Sequence, residues 1–220
     1  NIFHKISGNY GVSIILLSIL IFFVLYPLTM KSFKSMKEMQ ILQPNIEKVR
    51  KDHKDNPQKL NKEIMELYKK HKVNPFGGCL PMLLQMPIFI ALYQAFSRAI
   101  ELSGARFLWI KDLSMPDNAF SIPTGQGAGF AINILPILMA IMMFFQQRLS
   151  TKTSHVATTD KLDTLQQQQK MMVVMMPILF GFIFYNMPSG LVMYWFINTV
   201  LMFFQQKRIM KDFHVESVAS

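Results

Sequence analysis

The residue types that usually carry covalent or metal chemistry are sparse in this chain and poorly placed for it. Its five histidines (His4, His53, His71, His155 and His214) are scattered through flanks and loops. Histidines so placed are ordinarily solvated. Cys79 is the single cysteine, so it forms no internal disulfide and builds no metal site alone. No Gly-rich phosphate loop, HExxH pair or GxSxG elbow occurs. The expectation is a protein that is not an enzyme and takes neither metal nor cofactor.

The polar chemistry that does exist lies inside long apolar runs. Ser13, Ser18, Gln85, Asn133, Asn198 and Thr199 are uncharged hydrogen-bonding residues in such runs, and Tyr26, Tyr194 and Trp195 add amphipathic rings. Gly11, Ser18, Phe22 and Tyr26 fall at helical steps of seven, four and four, which is one face. Each polar group could bond a neighbouring helix, at about 0.6 kcal/mol on average. Alternatively they line a shared wet cavity. Spacing alone leaves both open.

The elements that must position these residues follow from hydropathy. The chain has 220 residues, 51% hydrophobic and 16% charged, against about 25% charged in a soluble domain. No charge falls between Lys5 and Lys31, between Lys72 and Arg98, between Asp117 and Arg148, or between Lys170 and Lys207. Uncharged apolar stretches of this length read as membrane spans. They exclude a soluble domain, a disordered chain and a secreted disulfide scaffold. The last run is too long for one span, and Asn186-Met187-Pro188-Ser189-Gly190 divides it with strong turn chemistry. Five spans result, over about 10–30, 76–97, 129–147, 171–185 and 191–206. The last two are roughly 22–24 Å long at 1.5 Å per residue, short of a bilayer core of about 30 Å. Either the membrane thins locally or these helices run on into their flanks. No acidic or basic residue lies inside a span, which argues against an ion-coupled transporter.

Charge placement orients the spans. The net charge is +10, and Lys31 to Lys72 alone holds twelve basic residues. An N-terminus outside and a C-terminus inside put 19 of the 23 basic residues on the cytoplasmic side. The excess is thus topological, and no sequence-specific nucleic-acid module is present. The chain opens on Asn1 in mid-pattern, so sequence is expected upstream of it.

Between the first two spans, residues 31–72 read as an amphipathic helical hairpin. Phe33, Met36, Met39, Leu42, Ile46 and Val49 form one apolar stripe, and Leu60, Ile64, Leu67 and Tyr68 a second. Asn56-Pro57 reads as an N-cap followed by proline in the first helical position. The exposed basic residues Lys48, Arg50, Lys51, Lys59 and Lys62 are candidate contacts for a ribosome, a partner protein or anionic lipid. Phe107 to Leu113 reads as a short interfacial helix, Ser121 to Gly129 as a mobile outer loop, and Leu149 to Gln169 as a polar inner loop. Gln166 to Gln169 reads as the start of the fourth spanning helix. The fold class is therefore an all-α membrane protein, with five transmembrane helices and a cytoplasmic hairpin in one domain over 1–220.

Several motifs, in order along the chain, resemble the YidC family of membrane protein insertases. They are Asn9-Tyr10-Gly11, Tyr26-Pro27-Leu28-Thr29, Leu42-Gln43-Pro44, Val73 to Pro81, Leu84 to Phe89, Trp109 to Ser114, Leu135 to Met139 and Pro188 to Trp195. The resemblance implies an insertase and membrane chaperone of the bacterial plasma membrane, working alone or beside the Sec translocon and the ribosome on nascent membrane proteins. It implies a hydrophilic groove open to the cytoplasm and to lipid, with Ser18, Phe22, Tyr26, Gln85, Tyr194, Trp195 and Asn198 as groove residues. Phe22 stands where bacterial members typically carry a groove arginine. Ser18 matches a hydroxyl position of the family, and Trp195 a position often held by tyrosine. Hydration and membrane thinning, rather than charge pairing, are then expected to lower the insertion barrier, and Phe22→Arg to leave insertion working. A passive channel or transporter is the alternative reading, and a scaffold that inserts nothing a third.

Overall fold

A computed structural model of the chain describes residues 2–53, 56–74, 80–122, 130–151 and 162–218. Its elements are α1 (Ile2–Ser7), α2 (Tyr10–Ile41), α3 (Gln43–Asp52), α4 (Pro57–Lys70), α5 (Leu80–Arg98), a 3-10 turn (Ile100–Leu102), β1 (Phe120–Ile122), β2 (Phe130–Ile132), α6 (Ile134–Thr151), α7 (Leu162–Phe184) and α8 (Ser189–Val218). Cys79, the glycines at 77 and 78, most of the 121–129 loop and residues 152–161 of the inner loop lie outside the described residues.

Five long helices, α2 and α5 to α8, cover the five apolar runs. Among the described residues, one helix is long and apolar enough by itself to cross a membrane, over Tyr10–Met39; Ile134–Ser150 and Val173–Phe184 are shorter apolar helices. The last two helices run on into their flanks, α7 for 23 residues and α8 for 30. Their short apolar stretches are therefore segments of longer rods. Helix α8 packs along both α2 and α6, and α7 lies along α6. The core runs through Ile14, Leu92, Leu113, Met139, Phe184 and Tyr194.

Local chemistry sets the breaks. Asn9 caps α2, its Oδ1 accepting from the N–H of Gly11 at 2.8 Å and of Val12 at 3.3 Å. Pro27, Pro87 and Pro177 each sit inside an unbroken helix, so α5 is continuous across Pro87. Pro44 stands in the first turn of α3, and a break at Leu42 divides the stripe expected to run from Phe33 to Val49. Phe33 and Met36 therefore belong to α2, where they border α8 residues Gln206, Ile209 and Met210. Met39, Leu42 and Ile46 pack with Ile64, Leu67, Tyr68 and Val73 as the hairpin's own core. Asn56 caps α4 as its sequence indicated, Oδ1 accepting from Lys59 N–H at 3.1 Å. His53 Nε2 meets Glu63 Oε1 at 3.1 Å across the hairpin.

The all-α class holds with one short addition: β1 and β2 pair antiparallel, with Phe120 opposite Ile132, and α6 begins at Ile134. One expectation needs correction: Phe107 to Leu113 is not a helix. Phe107 and Ile110 exchange both backbone hydrogen bonds (3.0 and 2.8 Å) around a two-residue turn. Leu108 takes a φ of 51° there, a left-handed value that a right-handed helix cannot contain.

Candidate functional site

The helices have two distinguishable ends. At the hairpin end α2 leads into α3 and α4. At the loop end the segment after α5, the β1–β2 hairpin and the α7–α8 turn form a cap. The sequence-predicted groove residues distribute between a buried α2 stripe and a cavity lined by the other four long helices.

Gln85 of α5 meets α8 in the bundle interior. Its Nε2 donates to the Tyr194 hydroxyl at 3.1 Å, and its Oε1 accepts from Asn198 Nδ2 at 3.4 Å. All three are buried. An amide reaching two partners on another helix is satisfied without water, as a residue in an apolar bundle must be. Trp195 sits beside this trio in an aromatic cluster, 5.1 Å from Phe184, 5.5 Å from Phe89 and 5.8 Å from Phe180 between ring centroids.

These two groups border a cavity of about 410 Å³. Its polar lining is Gln85, Gln146, Gln147, Asn198 and Thr199, and its apolar lining includes Met86, Phe89, Met143, Met176, Phe180, Ile183, Phe184, Trp195 and Met202. The two kinds are graded along the axis. Counted from the loop-end termini of their helices, Asn198, Thr199, Gln146, Gln147 and Gln85 lie about 14–20 Å away at 1.5 Å per residue. The rings of Phe184, Phe180, Trp195 and Phe89 lie within about 14 Å. The cavity thus has an amide-lined half toward the hairpin and an aromatic floor toward the cap. Met86 and Ile183, on α5 and α7, are exposed at its edge. Four methionines around an amide-lined space make a surface that can repack against varied apolar segments.

Of the predicted groove residues, Gln85, Trp195 and Asn198 line this cavity. Tyr194 holds Gln85 from behind it. Ser18, Phe22 and Tyr26 are not among its lining residues. Ser18 is fully buried, its hydroxyl donating to Ile14 O at 2.7 Å within its own helix. Phe22 is buried with its ring 5.8 Å from that of Tyr26. Below them, Thr29 Oγ1 donates to Gln205 Oε1 at 3.1 Å, and Gln206 Nε2 donates to Ser150 Oγ at 2.7 Å. These bonds tie α2 to α8 and α8 to α6 near the hairpin end. In the hairpin, Lys48, Lys51, Lys59 and Lys62 are exposed and Arg50 is half-buried.

The sequence reading missed Gln146 and Gln147 as cavity residues, together with the four methionines. An amide pair closing a charge-free run was the available signal. It also missed the chemistry of the cap. Asp117 is buried, its Oδ2 accepting from Leu135 N–H at 2.7 Å at the start of α6. Asn133 accepts from Asn118 N–H at 2.8 Å and donates to Tyr185 O at 2.6 Å, while the Tyr185 hydroxyl donates to Ala131 O at 2.7 Å. Burial would raise the Asp112 carboxyl, but the Ser114 hydroxyl and the N–H groups of Gly104 and Ser114 outweigh it and hold it below its usual range. Among the described residues no cluster of His, Cys, Asp and Glu could hold a metal ion.

The fold and cavity define a class: a helical membrane bundle whose amphipathic cavity carries no charge among the described residues, with a loop cap at one end of the bundle and a charged hairpin at the other. The model of the 60Kd inner membrane protein family matches residues 2–216, and the chain belongs to that family. It is 46% identical over 212 residues to the membrane protein insertase YidC of Pelobacter propionicus, covering 95% of this chain and 36% of that protein. To the membrane protein insertase YidC of Wolinella succinogenes it is 41% identical over 218 residues, covering 99% and 36%. An active YidC insertase crystal structure, with its first transmembrane domain resolved, superposes with a TM-score of 0.65 at 26% identity, over 91% of this chain and 42% of that one. The chain thus spans little more than a third of the length of these curated relatives.

Proposed function

We propose that this chain inserts nascent membrane proteins into the bacterial plasma membrane and assists their folding there, without catalysing a covalent reaction. On this reading α2 and α5 to α8 span the bilayer. The α3–α4 hairpin and the C-terminus are cytoplasmic, and the loop end faces outward. The observation that carries the proposal is the graded cavity, amide-lined on the hairpin side and floored by aromatic rings on the other.

A polar segment crossing hydrocarbon loses the water around its backbone and charges, at several kcal/mol per unsatisfied group. An amide-lined space reaching partway across shortens the dry distance. Gln85, Asn198, Gln146 and Gln147 supply hydrogen-bonding groups along it, and Ser18, Phe22 and Tyr26 stiffen the α2 wall behind it. The client's apolar segment leaves past Met86 and Ile183 into lipid, where burial of its side chains drives the step. No nucleotide is needed for that. Among the described residues the cavity lining carries no charge, so attraction of an acidic client segment is not part of the mechanism. Lys48, Arg50, Lys51, Lys59 and Lys62 offer a basic face to a ribosome or a Sec translocon at the hairpin.

The test is insertion of a small single-span client into liposomes containing only this protein. Protease protection of the client's translocated tail is expected. Solute or ion flux without client, and no protection, would establish the channel reading instead. Phe22 is buried, so a charged replacement there reports packing as well as attraction. Varying the client is cleaner: neutral and acidic tails of equal length should insert at similar rates.

A further inference from the structure

The cap at the loop end is built as though it lies in the membrane. The charge-free parts of α6, from Ile134 to Gln147, and of α7, from Met171 to Phe184, each rise about 21 Å. The hydrocarbon core they would cross is about 30 Å thick. At the hairpin end both helices continue as polar, then charged rods. At the loop end they stop, and the next thing along the axis is the cap. Its surface carries large apolar side chains: Ile100 is 86% exposed, Leu108 76%, and Phe120, Met115 and Trp109 are exposed as well. Leu108 is the plainest case. It holds a left-handed φ of 51° at the tip of a turn, where glycine or asparagine would sit without strain. A strained, solvent-facing leucine beside a tryptophan is costly in water and favourable in lipid.

A second observation concerns the backbone. Irregular chain at membrane depth must satisfy its own polar groups, and several backbone groups of this cap are paired within it. Leu113 N–H donates to Ala105 O at 3.1 Å, Gly190 N–H to Leu113 O at 2.9 Å and Ser189 N–H to Met115 O at 2.8 Å. Phe107 and Ile110 pair with each other. Arg98, Arg106 and Lys111 are exposed on the same segment, as is Glu101, and long basic side chains there can snorkel to phosphate headgroups.

We propose that the loop-end cap is seated in the adjacent phospholipid leaflet, with Leu108, Trp109 and Met115 among the acyl chains, and so completes the apolar thickness that α6 and α7 lack. The short helices then call for no thinning of that leaflet. The inference rests on the spanning reading, not on insertion activity. The test uses a Cys79→Ser protein with an environment-sensitive dye on a cysteine replacing Leu108 or, separately, Met115, in liposomes carrying nitroxides on the acyl chains. Dyes replacing Val174 of α7 and Lys62 of the hairpin serve as lipid and water references. Blue-shifted emission at 108 and 115, with most of the intensity lost to the acyl nitroxides as at 174, is expected. If both cap dyes are instead quenched by aqueous iodide as strongly as the dye at 62, while 174 stays lipid-quenched, the inference is overturned and the spanning reading stands. If 174 too is quenched from water, both fall.

Discussion

At the loop end Leu113 is wholly buried, and its N–H and C=O are both taken by other segments of the chain. Some 14–20 Å along the helices (at 1.5 Å per residue), Gln85 and Asn198 border a cavity of about 410 Å³. Both regions bury polar groups, yet they dispose of them differently. The cap spends backbone groups and short side chains on one another until little space remains. The cavity half pairs one face of its amides and leaves space beside them. A bundle that only needed to hold together would have used the first solution at both ends. The difference shows that space beside buried polar groups is kept around the amides and not within the cap, an arrangement the proposed insertion reading uses.

The sharpest way to break that comparison is to dry the cavity while keeping its packing. Gln85→Leu, Tyr194→Phe and Asn198→Leu together remove every member of the buried trio, so none is left unpaired. Replacing all partners by apolar groups of similar shape is close to neutral for stability. Insertion into liposomes is expected to be lost, with thermal unfolding in detergent displaced by about 1 kcal/mol or less. An active triple variant would show that the amides are only structural.

Crowding the cap probes the other region. A Cβ on Gly11 would run into the Phe107 ring, so α2 and the cap cannot both keep their places. Gly11→Ala is expected to destabilise the protein by about 1–3 kcal/mol. Adding Phe107→Ala should restore part of that loss, a coupling that a double-mutant cycle measures. Additive effects would mean that the contact does not hold the two together.

A smaller effect is expected from Tyr194→Phe alone. It removes the hydroxyl that accepts from Gln85 Nε2, at about 0.5–1.5 kcal/mol of stability. The freed amide turns toward the cavity, so insertion should persist at near its original rate. A loss as complete as that of the triple variant would place the phenol itself in the client path.

The weakest handle is pH. The Asp112 carboxyl is held below its usual range by Ser114 and by the N–H groups of Gly104 and Ser114. A lowered folded value stabilises above the unfolded value, near 3.9, and that contribution is lost as pH falls through the folded one. Hydrogen exchange at Ser114, corrected for its intrinsic pH dependence, should keep constant protection from about pH 8 to 5 and lose it only in stronger acid. A transition near neutrality would implicate another group.

What the sequence determined by itself is local. Asn56-Pro57 starts α4, Asn186 to Pro188 separates α7 from α8, and charge-free runs become helices. Each signal needs only neighbours along the chain: a cap reaches three residues, a turn four, an apolar face seven. The polar residues Ser18, Gln85 and Asn198 were visible as anomalies in those runs, but their roles were not. Gln85 is 109 residues from Tyr194 and 113 from Asn198, and only the packing of α5 on α8 brings them within bonding distance. Ser18 instead bonds its own helix, and the packing of α6 on α7 and α8 sets Gln146 and Gln147 at the cavity wall. Phe107 to Leu113 failed as a helix because Phe107 and Ile110 close a two-residue turn on each other, and Leu113 bonds Ala105 and the start of α8. Periodicity records which face of a helix is apolar; which polar group meets which, and where space is left between them, is decided when the helices choose their neighbours.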